Sequence, residues 1–259
     1  MRLVDSHCHL PLLAKTDGDL DRIVLDAKNN GIEHILSVSI DLETYDDVLR
    51  TALRYPEVSA SVGVHPNCTR ENLEPNIDKL VRLGANEQVI AIGETGLDFF
   101  YEDYDKERQL RQFKNHIRAA IELQKPIIIH CRDASSSLLP LLKKEKAQQV
   151  GGIMHCFVED WEVASEAMDM GFLISFSGIV TFKNAKKLRT VAKRIPSEKI
   201  LVETDAPWLA PVPERGKKNQ PAFVCHTAKF LSELRNENLD DFSLQTTKNF
   251  YTLFKFKEK

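Results

Sequence analysis

Four histidines and two carboxylates stand at the ends of short apolar runs in this chain. They are His7 and His9 in DSHCHL, Glu94 in IGETGLD, His130 in IIIHCRD, His155 in GIMHCF and Asp205 in VETDAPW. Imidazole nitrogens and carboxylate oxygens are ordinary ligands of divalent metal ions. His7 and His9 are two residues apart, so on an extended strand both face one side and Cys8 the other. An isolated His-x-His is common and carries little alone; the other positions change its weight. Six ligands exceed a closed tetrahedral zinc site and suit two divalent ions about 3.5–4 Å apart, bridged by a carboxylate. Glu94 is the natural bridge, because its run lies between the two ends of the ligand set. His7 and His9 then hold one ion with Glu94, and His130 and His155 hold the other with Glu94. Asp205 reaches the first ion or the water between the ions, and serves as general base on that water.

The elements that must position these residues are legible as a repeat. Eight short runs are near-continuous in apolar residues: RLVD (2–5), IEHILSVS (32–39), VSASVGVH (58–65), QVIAIGE (88–94), PIIIH (126–130), GGIMH (151–155), FLISFS (172–177) and KILVETD (199–205). Strands buried on both faces of a parallel sheet read this way. Between them lie stretches of helical period, notably 18–30, 105–124, 134–146 and 183–195. Strand then helix, repeated about eight times over roughly 250 residues, predicts a (β/α)8 TIM barrel spanning 1–259 as one domain. An open doubly wound sheet is the alternative, but no glycine-rich turn follows an early strand. In a barrel the C-terminal strand ends converge on one mouth, where the six residues would meet.

The chain has 259 residues, 42% hydrophobic and 28% charged, with a formal net charge of -3. That is ordinary globular composition and no basic nucleic-acid coat, although a local basic patch suffices to steer a phosphate. Five scattered cysteines do not form the framework of a small secreted domain. No signal-peptide pattern opens the chain and no long apolar run is present, so a cytoplasmic protein without a membrane span is expected. The oligomeric state is left open, a monomer being one option.

Other residues near the strand tips invite roles. Cys8, Cys131 and Cys156 neighbour proposed ligands but lie one residue off the ligand face, so packing is expected of them. His34, His116 and His226 read as unremarkable. His65, at another tip, could donate to a phosphate or leaving group. Arg132 could hold a phosphate bidentately or pair with Asp133 at the surface. Glu203, two before Asp205, shares its inward face and would bond a ligand histidine. Arg215, Lys217, Lys218 and Asn219 form a basic loop after the last strand, where this fold often binds phosphate. Arg215 and Asn219 are the substrate-binding candidates from it. Trp208, Phe99 and Phe100 flank the ligands and could stack a base or simply pack. Lys183, Lys186, Lys187, Arg189, Lys193 and Arg194 crowd one helix, whose solvated face they are expected to form.

Taken together, DSHCHL, GVHP (63–66), IGETGLDFF (92–100), IIIHCRDA (127–134), HCF (155–157), ETDAPWL (203–209) and RGKKNQP (215–221) resemble the TatD family of metal-dependent deoxyribonucleases in order and spacing. The resemblance runs from residue 4 to about residue 254, where NFYTLF (249–254) is similar to the family's closing helix. It implies a TIM-barrel hydrolase whose metal ligands match His7, His9, Glu94, His130, His155 and Asp205. It also implies hydrolysis of phosphodiester bonds in DNA, often by 3′-5′ exonuclease action, and that magnesium supports activity, whereas the four histidines suit zinc or manganese on ligand type. Departures are Cys131, where serine or threonine is common, and AFVCHTAKFL after RGKKNQP, with Cys225 and His226 in an otherwise blander helix. Neither touches a ligand position.

Two other readings remain. The same centre could cleave an ester or amide, as in an aminoacyl-tRNA deacylase. Many such enzymes bridge their metals with a modified lysine, and no lysine stands at a strand tip here. A non-catalytic, metal-stabilised adaptor is the third reading, and a complete ligand set at an open mouth weighs against it.

Overall fold

Runs of Val, Ile and Leu too short for helices and apolar on both faces become the staves of a barrel. The structure, a computed structural model, describes residues 2–68, 75–101 and 104–255. The strands are β1 (Leu3–Cys8), β2 (Ile32–Ser37), β3 (Val58–Val62), β4 (Val89–Asp98), β5 (Ile127–Arg132), β6 (Gly152–Met154), β7 (Phe172–Phe176) and β8 (Ile200–Val202). They form one parallel sheet in sequence order. The β1 and β8 edges meet through Asp205 N–H donating to the His7 carbonyl (2.9 Å) and His9 N–H donating to the Ala206 carbonyl (2.9 Å). Both closing bonds involve the segments that carry candidate ligands.

Helices cover the outside: α1 (Leu10–Leu13), α2 (Asp17–Asn29), α3 (Tyr45–Arg54), α4 (Ile77–Gly84), α5 (Lys106–Leu123), α6 (Ser135–Lys144), α7 (Trp161–Asp169), α8 (Lys186–Arg194), α9 (Val224–Arg235) and α10 (Leu239–Leu253). Their starts follow from capping chemistry. Thr16 and Asp19 form a reciprocal capping box on α2. Asp105, Asp160 and Asn238 accept backbone N–H groups at the starts of α5, α7 and α10. No helix among the described residues is long and apolar enough to cross a membrane.

The core has two layers. Outward strand residues such as Ile35, Val62, Ile92, Ile129, Ile174 and Val202 pack against the helices. Inside the barrel lies a smaller cluster of Val4, Leu36, Ala91, Ile128, Ile153, Leu173 and Leu201, joined by Phe250 of α10. This inner cluster is the floor on which the mouth rests.

Candidate metal centre

On β5, β6 and β8 the floor residues Ile128, Ile153 and Leu201 are followed two positions later by His130, His155 and Glu203. Simple alternation therefore turns all three into the mouth. On β1 and β4 the spacing from floor to ligand is three, from Val4 to His7 and from Ala91 to Glu94. The register accounts for it. Asp5 and Cys8 pair with Ile35 and Ser37, and Ile92 and Thr95 pair with Ile127 and Ile129, so each strand carries one extra residue at that point. These are bulges, which re-aim the following side chains. At the second bulge Gly93 has φ +138, and a Cβ there would meet the Ile128 carbonyl oxygen at 2.5 Å, so only glycine fits. The bulge is pinned by Ser61 Oγ donating to the Gly93 carbonyl (2.6 Å) and Glu94 N–H donating to the Ser39 carbonyl (2.9 Å).

All six ligand candidates come together, and the two oxygens of buried Glu94 divide them. Oε2 lies 3.3 Å from His7 Nε2 and 3.7 Å from His9 Nε2. Those two nitrogens are 3.1 Å apart, and Asp205 Oδ1 is 3.7 and 3.4 Å from them. Oε1 lies 2.7 Å from His155 Nε2, 3.1 Å from His130 Nδ1 and 3.5 Å from His65 Nε2. His130 Nδ1 is 3.4 Å from His155 Nε2 and 3.3 Å from His65 Nε2. Ligands about 2.0–2.1 Å from a tetrahedral ion stand about 3.3 Å from one another. Both clusters have edges of that size, and both consist of the imidazole and carboxylate donors that divalent ions take. The residues fit a metal pair.

The back nitrogens of the imidazoles are held too. His9 Nδ1 bonds the Val38 carbonyl (3.0 Å). Glu203 Oε1 accepts from the Cys156 N–H (2.8 Å) and meets His155 Nδ1 at 3.3 Å. Facing carboxylates of this kind fix which nitrogen is bare toward a metal. His7 stacks on His155, with ring centroids 3.9 Å apart. Its own Nδ1 is buried without a direct partner, as is Glu203 Oε2. His130 Nε2 meets Asp98 Oδ2 at 3.1 Å. Asp98 escapes a reading of the sequence because β4 runs past its apolar stretch to reach it; its one signal is its place four residues beyond Glu94.

A row of polar residues on α5 holds the loops beneath this array. Gln109 accepts from Asp98 N–H (2.8 Å) and donates to the Asp98 carbonyl (2.9 Å). His116 Nε2 accepts from Val64 N–H (3.0 Å), and Gln112 donates to the Val64 carbonyl (3.3 Å), one residue before His65. Arg108 donates to the Pro66 carbonyl at 2.9 Å and to the Cys68 carbonyl. His116 is thus a strut for the His65 loop. His34, paired with Ser59 (2.8 Å), sits low in the barrel near Phe250, and His226 lies 3.9 Å from Glu214.

Charge in the site is strongly coupled. Burial pushes the Glu94 carboxyl up, but His155, His65 and His130 outweigh it and hold it well below the usual carboxylate range. Asp205 is likewise lowered, burial being outweighed by His9 and His7. Burial lowers His155, yet Glu94 and Glu203 raise it well above an ordinary imidazole. His65 goes the other way, down to about 3, through burial and the neighbouring His130. Ionised carboxylates thus face three imidazoles held protonated, His9, His130 and His155, while burial keeps His7 and His65 neutral.

The remaining candidates divide. Arg132 does not pair with Asp133; its guanidinium lies 3.5 Å over the Phe100 ring. Arg215 is exposed and lies over Phe182 (3.8 Å). Asn219 is not placed to touch a substrate: it is fully buried, donating to the Thr204 (2.8 Å) and Trp208 (2.6 Å) carbonyls and accepting from Gln220 N–H (3.0 Å). Its amide is consumed in shaping the loop after β8. Lys217 pairs with Glu214, and Lys218 donates to the Leu12 and Leu13 carbonyls. Phe99 stacks on Tyr104 and packs on the core, whereas Trp208 is half-exposed with its ring 5.3 Å from His9. In the α8 region Lys183, Lys186, Lys187, Lys193 and Arg194 are exposed, while Arg189 braces the carbonyls of Val180, Thr181 and Phe182. Cys8 is in the core, Cys131 and Cys156 sit near Glu159 and Ser177, and no cysteine joins a candidate metal cluster among the described residues.

Comparison with known proteins agrees with this geometry. Residues 4–255 match the family described as TatD related DNase. The metal-dependent hydrolase YcfH of Escherichia coli, itself named as uncharacterised, is 43% identical over 256 residues, covering 98% of this chain and 96% of that protein. The 3′-5′ ssDNA/RNA exonuclease TatD of Citrobacter koseri is 33% identical over 241 residues, covering 91% of this chain and 93% of that protein. Among solved structures, the TatD homologue YjjV of Escherichia coli matches with a TM-score of 0.92 at 28% identity over 99% of each chain. An eight-stranded barrel with clustered imidazoles and carboxylates at its mouth, matched over nearly its whole length, therefore belongs to the TatD-related DNase family and is a metal-dependent hydrolase.

Proposed function

We propose that this hydrolase cleaves phosphodiester bonds in single-stranded DNA, removing nucleotides from the 3′ end. The observation that carries the reading is the division of Glu94, one oxygen in each of two donor clusters. His7, His9, Glu94 and Asp205 would hold one divalent ion, and His130, His155 and Glu94 the second, with His65 against the same oxygen. Histidine-rich clusters favour zinc or manganese over magnesium. Bound there, the ions supply Lewis acidity toward a phosphoryl oxygen and make water a usable nucleophile. Asp205, kept ionised by His9 and His7, accepts the proton of the attacking water. Glu203 and Asp98 keep the rings of His155 and His130 in place. His65, on the open side of Glu94, donates to the phosphate or its leaving oxygen, and Arg132 and Arg215 offer guanidinium groups to the backbone. The name of the Citrobacter relative supports a nucleic-acid substrate, and five free thiols support a reducing, cytoplasmic setting.

The test is a metal-loaded preparation assayed on 3′- and 5′-labelled single-stranded DNA, on RNA and on aminoacyl esters, beside Glu94→Ala. The reading expects shortening from the 3′ end, loss of turnover in Glu94→Ala, and a lowered metal content with a folded barrel. Full activity in that variant, or turnover of esters alone, would overturn it.

A further inference from the structure

Beyond the tip of β4 lies a surface feature that the metal chemistry leaves unused. Phe100 and Tyr101 are 51% and 50% exposed, an uncommon position for two adjacent large aromatics beside a charged site. Their rings are perpendicular, at 87° with centroids 5.2 Å apart, so they make a right-angled corner. The Arg132 guanidinium covers one face of Phe100 and lies 5.6 Å from the Tyr101 ring centre. That guanidinium has no hydrogen bond or ion pair with any described residue. Stacking orients its N–H edges, which meet no acceptor among the described residues and can take an anion.

This corner is coupled to the metal ligands through short bonds. Phe100 N–H donates to Asp98 Oδ1 (3.1 Å), whose other oxygen meets His130 Nε2 (3.1 Å). Phe99 N–H donates to the Arg132 carbonyl (2.9 Å). Asp98 pairs with Arg132 and Gly96 with His130 across the β4–β5 ladder. Arg132 and His130 are two apart on one strand, so both take the inward-facing side. The corner therefore stands at a fixed offset from His130 and Glu94 at the mouth.

We propose that Phe100, Tyr101 and Arg132 seat one nucleotide beside the scissile phosphate: its base lies in the aromatic corner and its phosphate on the guanidinium. The inference rests on the nuclease reading above and adds the residues that bind the strand. Every nucleobase offers a flat face to an aromatic ring, so such a seat accepts any sequence. A guanidinium matches a phosphate with two parallel hydrogen bonds. A base inside a duplex is already stacked and paired, so the seat selects unpaired ends.

The test uses decathymidylate and versions of it carrying one abasic residue at each of the last three positions in turn. kcat/KM is measured for metal-loaded wild type, Phe100→Ala and Tyr101→Ala, with elemental analysis confirming equal metal content. One abasic position should cost wild type tenfold or more, and the same change should cost Phe100→Ala less than twofold. Arg132→Lys should raise KM severalfold on the intact strand, because a point charge replaces a planar fork. Equal abasic penalties in wild type and Phe100→Ala, or no penalty at any position in a wild type that digests DNA, would overturn the seat alone. A wild type that digests no oligonucleotide with any metal would overturn both the seat and the nuclease reading.

Discussion

Replacing Glu203 by glutamine should weaken metal binding without loosening the barrel. Glu203 is fully buried and contacts His155 Nδ1 and the Cys156 N–H through one oxygen. Glutamine keeps an oxygen for the Cys156 N–H and keeps the volume. It loses the charge that keeps a proton on His155 Nδ1 and so leaves Nε2 as the nitrogen that would face a bound ion. Removal of such an orienting carboxylate costs about 10–100-fold in metal affinity. At a metal concentration about 1,000 times the wild-type Kd, binding stabilises the wild type by about 4 kcal/mol. The variant, with Kd raised by that factor, should gain only about 1.4–2.7 kcal/mol at the same concentration. The metal-free comparison is smaller. In the metal-free site Glu203 also faces the His155 imidazolium that it helps to hold charged, so the variant should lose that one ion pair there and lose the metal increment in addition when loaded. Urea unfolding with and without metal, plus chelator competition, measures both quantities. Equal metal increments in the two proteins would refute the orienting role. So would a metal-free variant as destabilised as the loaded one, since that describes a plain structural strut.

Metal binding should release protons. Burial lowers His130 and His9, but Asp98 and Glu94 raise the first and Asp205 and Glu94 the second, leaving both above an ordinary imidazole. Affinity should then climb with pH, and calorimetry in buffers of different ionisation enthalpy should show proton release; none would refute the charge coupling. Gln109→Leu strands both the N–H and the carbonyl of buried Asp98, at about 1–3 kcal/mol each. It should lower stability by about 2–6 kcal/mol and disturb metal affinity through His130; an unchanged urea midpoint would contradict the clamp. His116 is buried with its pKa lowered to about 4 by desolvation. Its folded value lies below its unfolded value, so its stabilisation is present above about pH 6.5 and is lost as pH falls through 4. The wild type should lose up to about 3 kcal/mol over that range that His116→Gln does not; parallel pH–stability curves would refute the assignment.

The clustering of the six candidate ligands was legible because residue type and strand end coincide: a histidine or carboxylate closing an apolar run is visible without knowing any contact. The barrel was legible from the same runs, since their length and two-sided hydrophobicity leave few other arrangements. What stayed hidden depends on partners distant in sequence. Asp98 reaches His130 only because β4 pairs with β5 well beyond its apolar stretch. Asn219 looked like a phosphate contact beside basic neighbours, but the loop after β8 folds back and its amide goes to the Thr204 and Trp208 carbonyls. Arg132 could be placed near the mouth from its position, whereas its stacking on Phe100 depends on a loop conformation that no local pattern encodes. The helical period of α5 says nothing of Gln109, Gln112 and His116, which are buried because their partners lie on loops distant in sequence.

The bulges in β1 and β4 give the barrel two independent clocks. Below them the strands keep time with the apolar floor; above them the count starts again, set by the candidate metal ligands. Removing a single residue at either point would leave the floor packed and turn His7 or Glu94 to the wrong side. Substitutions at the mouth can retune the chemistry, but only a change of length can rotate it. In this scaffold an insertion or deletion at those two points is the step that would separate a hydrolase from a folded, inert barrel.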